Sequence, residues 1–399
     1  MLKILIISAV FPPEPVVSAG LSRDIAEELS KENEVFVLCP HPTRPLNFIF
    51  QNGFEPRNYQ VIHLDSYTCP KSNIFGRFLE SYSFGTHCLR YIKKNWKHID
   101  CVYVNSWPLF SQYLIVKTVK KFNIPCAIHV QDIYPESLIN KLPIGKSLFQ
   151  NILLLIDKYS LNNSKAIICI SENMRQTLVA TRRIFPAKVT VVPNWQNEED
   201  FIQFNNSKIK EEKNLPKPFT FMYLGNNGPL AGVGYLIESF VKADIYNSRL
   251  IIAGAGTRTN ACRELANSLH AENIEFIPVQ EGMVPIIQDK SDVMLLPVKK
   301  FGAMSSIPSK LCAYMFSSKA IIGSLDLESD STRVILESDC GIVVQPENED
   351  ELINAMKVAA QWSKQILEEK GKNGFNYAMA NFSKKQNLPK IVSVIKNIM

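Results

Sequence analysis

Short apolar runs rich in β-branched residues alternate with amphipathic helical patterns from one end of the chain to the other. Such runs read as buried strands, and their alternation with helices is the signature of βαβ units in parallel sheets. In the first half the strands are "KILIISA", "EVFVLC", "YQVIHL", "DCVYVNS", "CAIHVQ", "KAIICIS" and "VTVV". The second half repeats the habit with "FTFMYLG", "RLIIAGAG", "IEFIPV", "DVMLLPV", "KAIIGS" and "CGIVVQP". Between them runs "NEEDFIQFNNSKIKEEKNLPKPF", polar, charged and marked by proline, which reads as a linker. The expected organisation is α/β: a Rossmann-like domain over 1–197, a linker over 198–217 and a second Rossmann-like domain over 218–383. Helical patterns are expected at about 349–362 and 364–382, and a last amphipathic helix over 384–399 is expected to pack back on the first domain. Open parallel sheets bind ligands beyond the carboxyl ends of their strands, so two such edges are expected to face each other across a cleft.

A length of 399 residues agrees with two domains, and 46% hydrophobic with 21% charged residues is ordinary for a folded protein. The net charge of +6 suits anionic small molecules or an anionic membrane surface better than nucleic acid. Nine cysteines, an odd number with no CxxC, fit reduced thiols buried as small hydrophobes in a cytoplasm. The opening "MLKILIISAVFPP" is too short to span a membrane and lacks a secretory cleavage site. The six histidines have no ligand spacing and no Asp-x-Asp pair occurs, so no metal site is expected.

Six stretches could carry chemistry. In "FPPEPVVSAGLSRDIAEEL", Ser18, Ala19 and Gly20 at a strand-to-helix turn would let backbone N–H groups approach an anion, although a plain capped turn reads the same way. The GxGxxG fingerprint is absent there, which counts against a nicotinamide enzyme. "IHVQDIYPESL" places Asp132 at the carboxyl end of a strand, as a candidate for orienting an acceptor or taking its proton. Glu136 lies in the following first helical turn, where the helix dipole alone would favour an acid. "FMYLGNNGPLAGVGYLIESF" and "IIAGAGTRTN" turn from strand to helix through Gly225, Gly228, Gly254 and Gly256, with Arg258 close by. Such glycine density allows close backbone approach to a phosphate.

The fifth stretch is "SSIPSKLCAYMFSSKAII". Pro308 pre-sets a helical first turn and puts Lys310 inside it, where a cation opposes the helix dipole. Ala313 and Tyr314 stand where a helical ion-pair partner would be, so a bound diphosphate would explain the lysine. A lysine snorkelling off an apolar helix is the alternative. Between 71 and 97, Lys71, Arg77, Arg90, Lys93, Lys94 and Lys97 are interleaved with Phe75, Phe78, Tyr82, Phe84, Tyr91 and Trp96. That mixture suits a membrane interface or lipid phosphate, or equally a packed helix with a solvated basic face.

Taken in order, "FPPEP" with "SAG", "QDIYPES", "ICISENMRQTL", "VTVVPNW", "MYLGNNG", "IIAGAG", "LLPV", "IPSK" and "CGIVVQPEN" resemble the GT-B retaining glycosyltransferases of family 4. The likeness is in particular to bacterial surface-polysaccharide transferases of the N-acetyl-L-fucosamine transferase-like kind. It implies two Rossmann-like domains, a nucleotide-sugar donor held mainly by the second, an acceptor held by the first, and transfer with retention without an essential metal or cofactor. By the same resemblance Ser18 and Gly20 close on the donor diphosphate, Asp132 lies beside the reacting sugar, and Asn194 closes the first domain at the hinge. Gly225, Asn226, Asn227, Gly228, Gly254, Gly256 and Arg258 approach the donor, with Ser305, Ser306, Ser309 and Lys310 on the other side. Arg77, Phe84 and Glu136 fall where such enzymes meet acceptor or membrane. The chain departs from the family where two glutamates are usual, carrying Ser305 and Ala313, and where Arg and Lys follow the first strand of the second domain, carrying Asn226 or Asn227 and Ala231. Phe316, Ser318 and Ala320 likewise replace a small-residue, glycine and proline pattern.

The resulting expectation is a cytoplasmic enzyme, peripheral on the inner membrane face, that moves a sugar from a UDP-sugar to a lipid-diphosphate-linked glycan in bacterial O-antigen or capsule synthesis. A nucleotide-sugar 2-epimerase and a catalytically degenerate binding subunit are the alternatives, the latter favoured by Ser305 and Ala313.

Overall fold

A computed structural model describes the chain except residues 45–49, 51–55, 57, 70–72, 106–107, 135, 137–145, 208–216, 281, 301 and 303–306. It divides into two compact units, Met1–Asn194 with Asn387–Met399, and Trp195–Gln386.

The first unit holds a seven-stranded sheet of β1 (Lys3–Ile7), β2 (Glu34–Pro40), β3 (Gln60–Leu64), β4 (Cys101–Asn105), β5 (Cys126–Val130), β6 (Ala166–Cys169) and β7 (Val189–Val191). The order is β3-β2-β1-β4-β5-β6-β7, and every pairing is parallel, with Ile4 opposite both Val35 and Cys101. β4 and β5 are buried at every residue, which is why they read as apolar runs broken only by Asn105 and His129. Among the described residues the strands are connected by α1 (Val17–Leu29), α2 (Ile74–Asn95), α3 (Leu109–Lys121), α4 (Lys146–Asn163) and α5 (Glu172–Arg182). The strand order reverses between β1 and β4, and a sheet of this kind binds ligands at that point, beyond the carboxyl ends.

The second unit repeats the plan with β8 (Phe219–Leu224), β9 (Ser248–Ala253), β10 (Ile274–Ile277), β11 (Val293–Pro297), β12 (Ala320–Ser324) and β13 (Gly341–Val344) in the order β10-β9-β8-β11-β12-β13. Its helices are α6 (Glu199–Ser207), α7 (Val233–Ala243), α8 (Thr259–Ser268), α9 (Val284–Asp289), α10 (Ser309–Phe316), α11 (Asp330–Glu337), α12 (Glu349–Ala360) and α13 (Lys364–Asn381). Here the reversal lies between β8 and β11.

The segment expected as a linker begins as helix α6. Its Phe201 is 2% exposed and packs 5.7 Å from the Phe316 ring in the second core, so the helix belongs to the second unit. One buried aromatic in a polar run is enough to dock the segment. The rest of that stretch, 208–216, lies outside the described residues.

The last helix, α14 (Lys384–Lys396), starts in the second unit, where the Glu198 carboxylate accepts the N–H groups of Lys384 and Lys385. From Asn387 onward the chain belongs to the first unit. There the Asn387 amide donates to the Pro193 carbonyl, Ile391 and Ile395 are fully buried, and Lys396 pairs with Glu32. All nine cysteines are buried free thiols, and burial lifts several well above the ordinary thiol range, Cys39 to about 12.

Candidate active site

The second unit builds its site where β8 and β9 end and α10 begins. α10 starts with Pro308 as its cap residue, no side-chain cap bond and no acid in its first turn. Lys310 does not snorkel from it. Its stem crosses the α-carbon of Gly225, so that a β-carbon there would meet Lys310 Cε at 2.2 Å. The ammonium donates to the Tyr223 hydroxyl at 2.5 Å and sits 4.6 Å from the ring centroid. Tyr223 and Gly225 share a face because side chains alternate along a strand, and both therefore meet the lysine. The Tyr223 hydroxyl in turn donates a hydrogen bond to the Asn226 carbonyl at 2.7 Å. The Tyr314 hydroxyl accepts the Leu224 N–H and donates to its carbonyl, fixing the strand end from α10. Burial lowers the Lys310 ammonium to about 8, so near neutrality the site holds a cation close to release.

Gly254 and Gly256 also have a packing role. Gly254, at φ +110°, would bring a β-carbon to 2.4 Å from the Gly225 carbonyl oxygen, and Gly256 would bring one to 2.4 Å from Asn226 Oδ1. They let the turns after β8 and β9 lie directly on each other, stitched by Asn227 N–H to Ala255 O and Arg258 N–H to Asn227 O. Asn227, expected to approach the donor, has a fully buried side chain whose amide donates to Thr259 Oγ1. Asn226, Arg258 and Ser309 are exposed at this edge, and the nearest atom to an added β-carbon on Gly228 is 3.5 Å away. Ala313 is buried on α10 and presents no carboxylate. Ser305 and Ser306 lie outside the described residues.

In the first unit α1 begins at Val17, one turn before the sequence suggested, so Ser18 and Gly20 are helical rather than in a loop. A β-carbon on Gly20 would meet nothing within 4 Å, so packing does not require the glycine. Asp132 is the second residue beyond β5, half-buried, and accepts the Ile133 N–H at 2.9 Å. Asn194 ends the first part of this unit with a buried Oδ1 that has no partner among the described residues.

Two expected contact residues are corrected. Both carboxylate oxygens of Glu136 are taken by Arg182, at 2.6 and 2.7 Å, so its role is to hold a fully buried arginine. Arg182 also donates to Asp157 at 2.8 Å and to the Tyr134 carbonyl, tying the segment after β5 to α4 and α5. Phe84 is 2% exposed within the first core and cannot meet a membrane. Arg77 donates to Glu80. On the outer face of α2 stand Phe75 at 71% exposure, Phe78, Leu79 and Tyr82. Lys71 lies outside the described residues. The sequence reading missed Tyr223 and Arg182: the first lies in an apolar strand, and the second reads as an ordinary last-turn cation.

Residues 21–199 match the family described as Glycosyltransferase Family 4, and residues 218–361 match Glycosyl transferases group 1. The chain carries two glycosyltransferase domains in a GT-B fold. The solved GT-B structures it is similar to include sucrose-phosphate synthase from Thermosynechococcus elongatus, with a TM-score of 0.74 at 14% identity over 100% of this chain and 99% of that one. Anabaena HepE, solved in complex with UDP, has a TM-score of 0.72 at 11% identity over the whole of both chains. An uncharacterized glycosyltransferase of Methanocaldococcus jannaschii is 27% identical over 202 residues, 43% of this chain. That match spans 50% of the relative's own length. Among the described residues of this GT-B chain, no helix is long and apolar enough to cross a membrane, and no three His, Cys, Asp or Glu side chains gather as metal ligands.

Proposed function

We propose that the protein is a retaining glycosyltransferase that transfers a hexosyl or N-acetylaminosugar unit from a UDP-sugar to a glycan carried on a lipid diphosphate, without a metal. The observation that carries this reading is the half-buried Lys310 ammonium at the open amino end of α10, laid over Gly225. In the transfer the glycosidic C–O bond to the diphosphate breaks and negative charge develops on the leaving oxygen. A pre-positioned cation and helix N–H groups in a water-poor site stabilise that charge, which is how such groups lower a barrier. UDP as the leaving group draws support from the UDP complex of Anabaena HepE.

Asp132 orients the acceptor hydroxyl in this reading, from its place beyond β5 in the first unit. The likeness to surface-polysaccharide transferases supports this acceptor class and, with it, action at the cytoplasmic face of the membrane. The exposed Phe75, Phe78, Leu79 and Tyr82 on α2 offer a surface for peripheral attachment to an anionic bilayer.

A second reading is a degenerate binding subunit, favoured by Ala313, which leaves α10 without the acid the family places there. NMR of UDP-glucose or UDP-N-acetylglucosamine incubated with enzyme and membrane lipid extract separates the readings. New anomeric signals with the donor's configuration, in a lipid-bound product, support transfer. A changed sugar without acceptor supports an epimerase, and no turnover of any donor supports the binding subunit.

A further inference from the structure

A half-buried lysine with no acid beside it is drawn toward its neutral form, and burial alone pulls the Lys310 ammonium down to about 8. Among the described residues both interactions that oppose this come from Tyr223. Its hydroxyl accepts an ammonium N–H at 2.5 Å, and its ring centroid lies 4.6 Å from the same nitrogen. Tyr223 is fully buried in the second core, which fixes hydroxyl and ring together. The hydroxyl has one proton, and it is committed to the Asn226 carbonyl at 2.7 Å. The oxygen therefore meets Lys310 as an acceptor. An acceptor of this kind binds an ammonium roughly twice as strongly as a neutral amine, and the ring attracts only the cation. The other titratable groups around the pair are the Tyr314 hydroxyl of α10 and the Cys262 thiol of α8, both raised by burial and so neutral. Arg258, at the head of α8, is exposed.

The choice of partner has a chemical consequence. A carboxylate in place of the phenol would hold the lysine more firmly, but it would cancel the charge and repel an incoming anion. A neutral phenol fixes the ammonium and leaves its unit charge uncancelled. An ammonium has three N–H donors, so one given to Tyr223 leaves others for an anion. The arrangement is braced a second time, because the Tyr314 hydroxyl of α10 returns to the N–H and carbonyl of Leu224, the residue after Tyr223. The helix end that bears Lys310 and the strand end that bears Tyr223 are thus tied at two adjacent points.

We propose that Tyr223 is a positioning residue for the transfer: its hydroxyl and ring keep Lys310 charged and in place over the Gly225 backbone, ready for the donor diphosphate. That use rests on the glycosyltransferase reading. The hold of Tyr223 on Lys310 rests on the second unit alone.

The test is an NMR titration of the full chain carrying lysine labelled with carbon-13 at Cε, without nucleotide, the Lys310 signal being assigned by its loss in Lys310→Met. The wild-type midpoint should lie at about 8. Tyr223→Phe keeps the ring and removes the oxygen, and its midpoint should fall by about one to two pH units, the worth of a hydrogen bond to a charged group. Tyr314→Phe cuts the second tie but leaves the Tyr223 hydroxyl, and it should keep the wild-type midpoint. UDP titrations then read the consequence for the donor. The affinity of Tyr223→Phe should match the wild type within about threefold at about pH 6 and lie about tenfold or more below it at about pH 8. UDP's own ionisation is common to both proteins and cancels in the ratio. An unmoved midpoint in Tyr223→Phe, an equal shift in Tyr314→Phe, or a loss of UDP affinity that is the same at both pH values would make Tyr223 a packing residue and overturn the proposal. Absence of UDP binding to the wild type would remove the donor reading, and the ligand-free titration would still decide whether Tyr223 holds Lys310.

Discussion

Lys310 lies across Gly225 so closely that a β-carbon at position 225 would stand 2.2 Å from Cε and 2.7 Å from Cδ of the lysine. The glycine is the floor on which the cation rests, and the Tyr223 hydroxyl two residues earlier holds its head.

Gly225→Ala therefore displaces the far end of a flexible side chain rather than backbone. The fold should tolerate it, with stability changed by less than about 1 kcal/mol, while the ammonium moves off its place. A misplacement of about 1 Å at a reacting centre costs up to about a hundredfold, so kcat/KM should drop about ten- to a hundredfold. Circular dichroism melts and steady-state rates check both halves, and a Gly225→Ala enzyme of wild-type rate contradicts the role.

The Lys310 ammonium loses its proton at about 8 because burial disfavours the charged form. A bound diphosphate favours the charged form, so binding above that pH must take up a proton. UDP affinity should then fall as pH rises through about 8, with a slope approaching tenfold per pH unit. Lys310→Met should bind weakly with no such slope. Parallel slopes in the two proteins would assign the titration elsewhere.

Arg182 is fully buried between Glu136 and Asp157, and removing it strands two acids. Arg182→Ala should destabilise the first unit by about 3–5 kcal/mol. Glu136→Gln, at a carboxylate 36% exposed, should cost about 1 kcal/mol or less. Urea unfolding measures the two, and equal effects would contradict the asymmetry.

Phe84→Ala should destabilise by about 3–5 kcal/mol, as for other buried aromatics. Phe75→Ser, at a residue 71% exposed, should leave stability within about 0.5 kcal/mol and weaken cosedimentation with phosphatidylglycerol vesicles. Unchanged cosedimentation would remove α2 from membrane attachment.

The fold was legible because strands buried on both faces must be mostly apolar, as "CAIHV" and "VMLLP" are. Lys310 was legible because Pro308 starts a helix and no acid follows. Its partner Tyr223 was not, since the contact spans 87 residues and a tyrosine in an apolar strand reads as core. The glycines were found but their packing role was not, because whether a glycine also meets a neighbouring turn depends on what lies opposite. Phe84 could have been placed: Phe84, Cys88 and Ile92 recur at helical spacing and are all buried, whereas Phe75, Leu79 and Tyr82 mark the opposite face. A compositional reading of that helix discarded its period. Phe201 was lost in the same way, inside a segment judged by its charge.

The most direct measurement is calorimetric titration of the metal-free protein with UDP, in the wild type and in Lys310→Ala. Wild-type binding that weakens by about a hundredfold in the variant, roughly the worth of one charge-assisted contact at a diphosphate, is the predicted result. Equal affinity in the two proteins, or no binding of UDP to the wild type, would contradict a donor site built on Lys310.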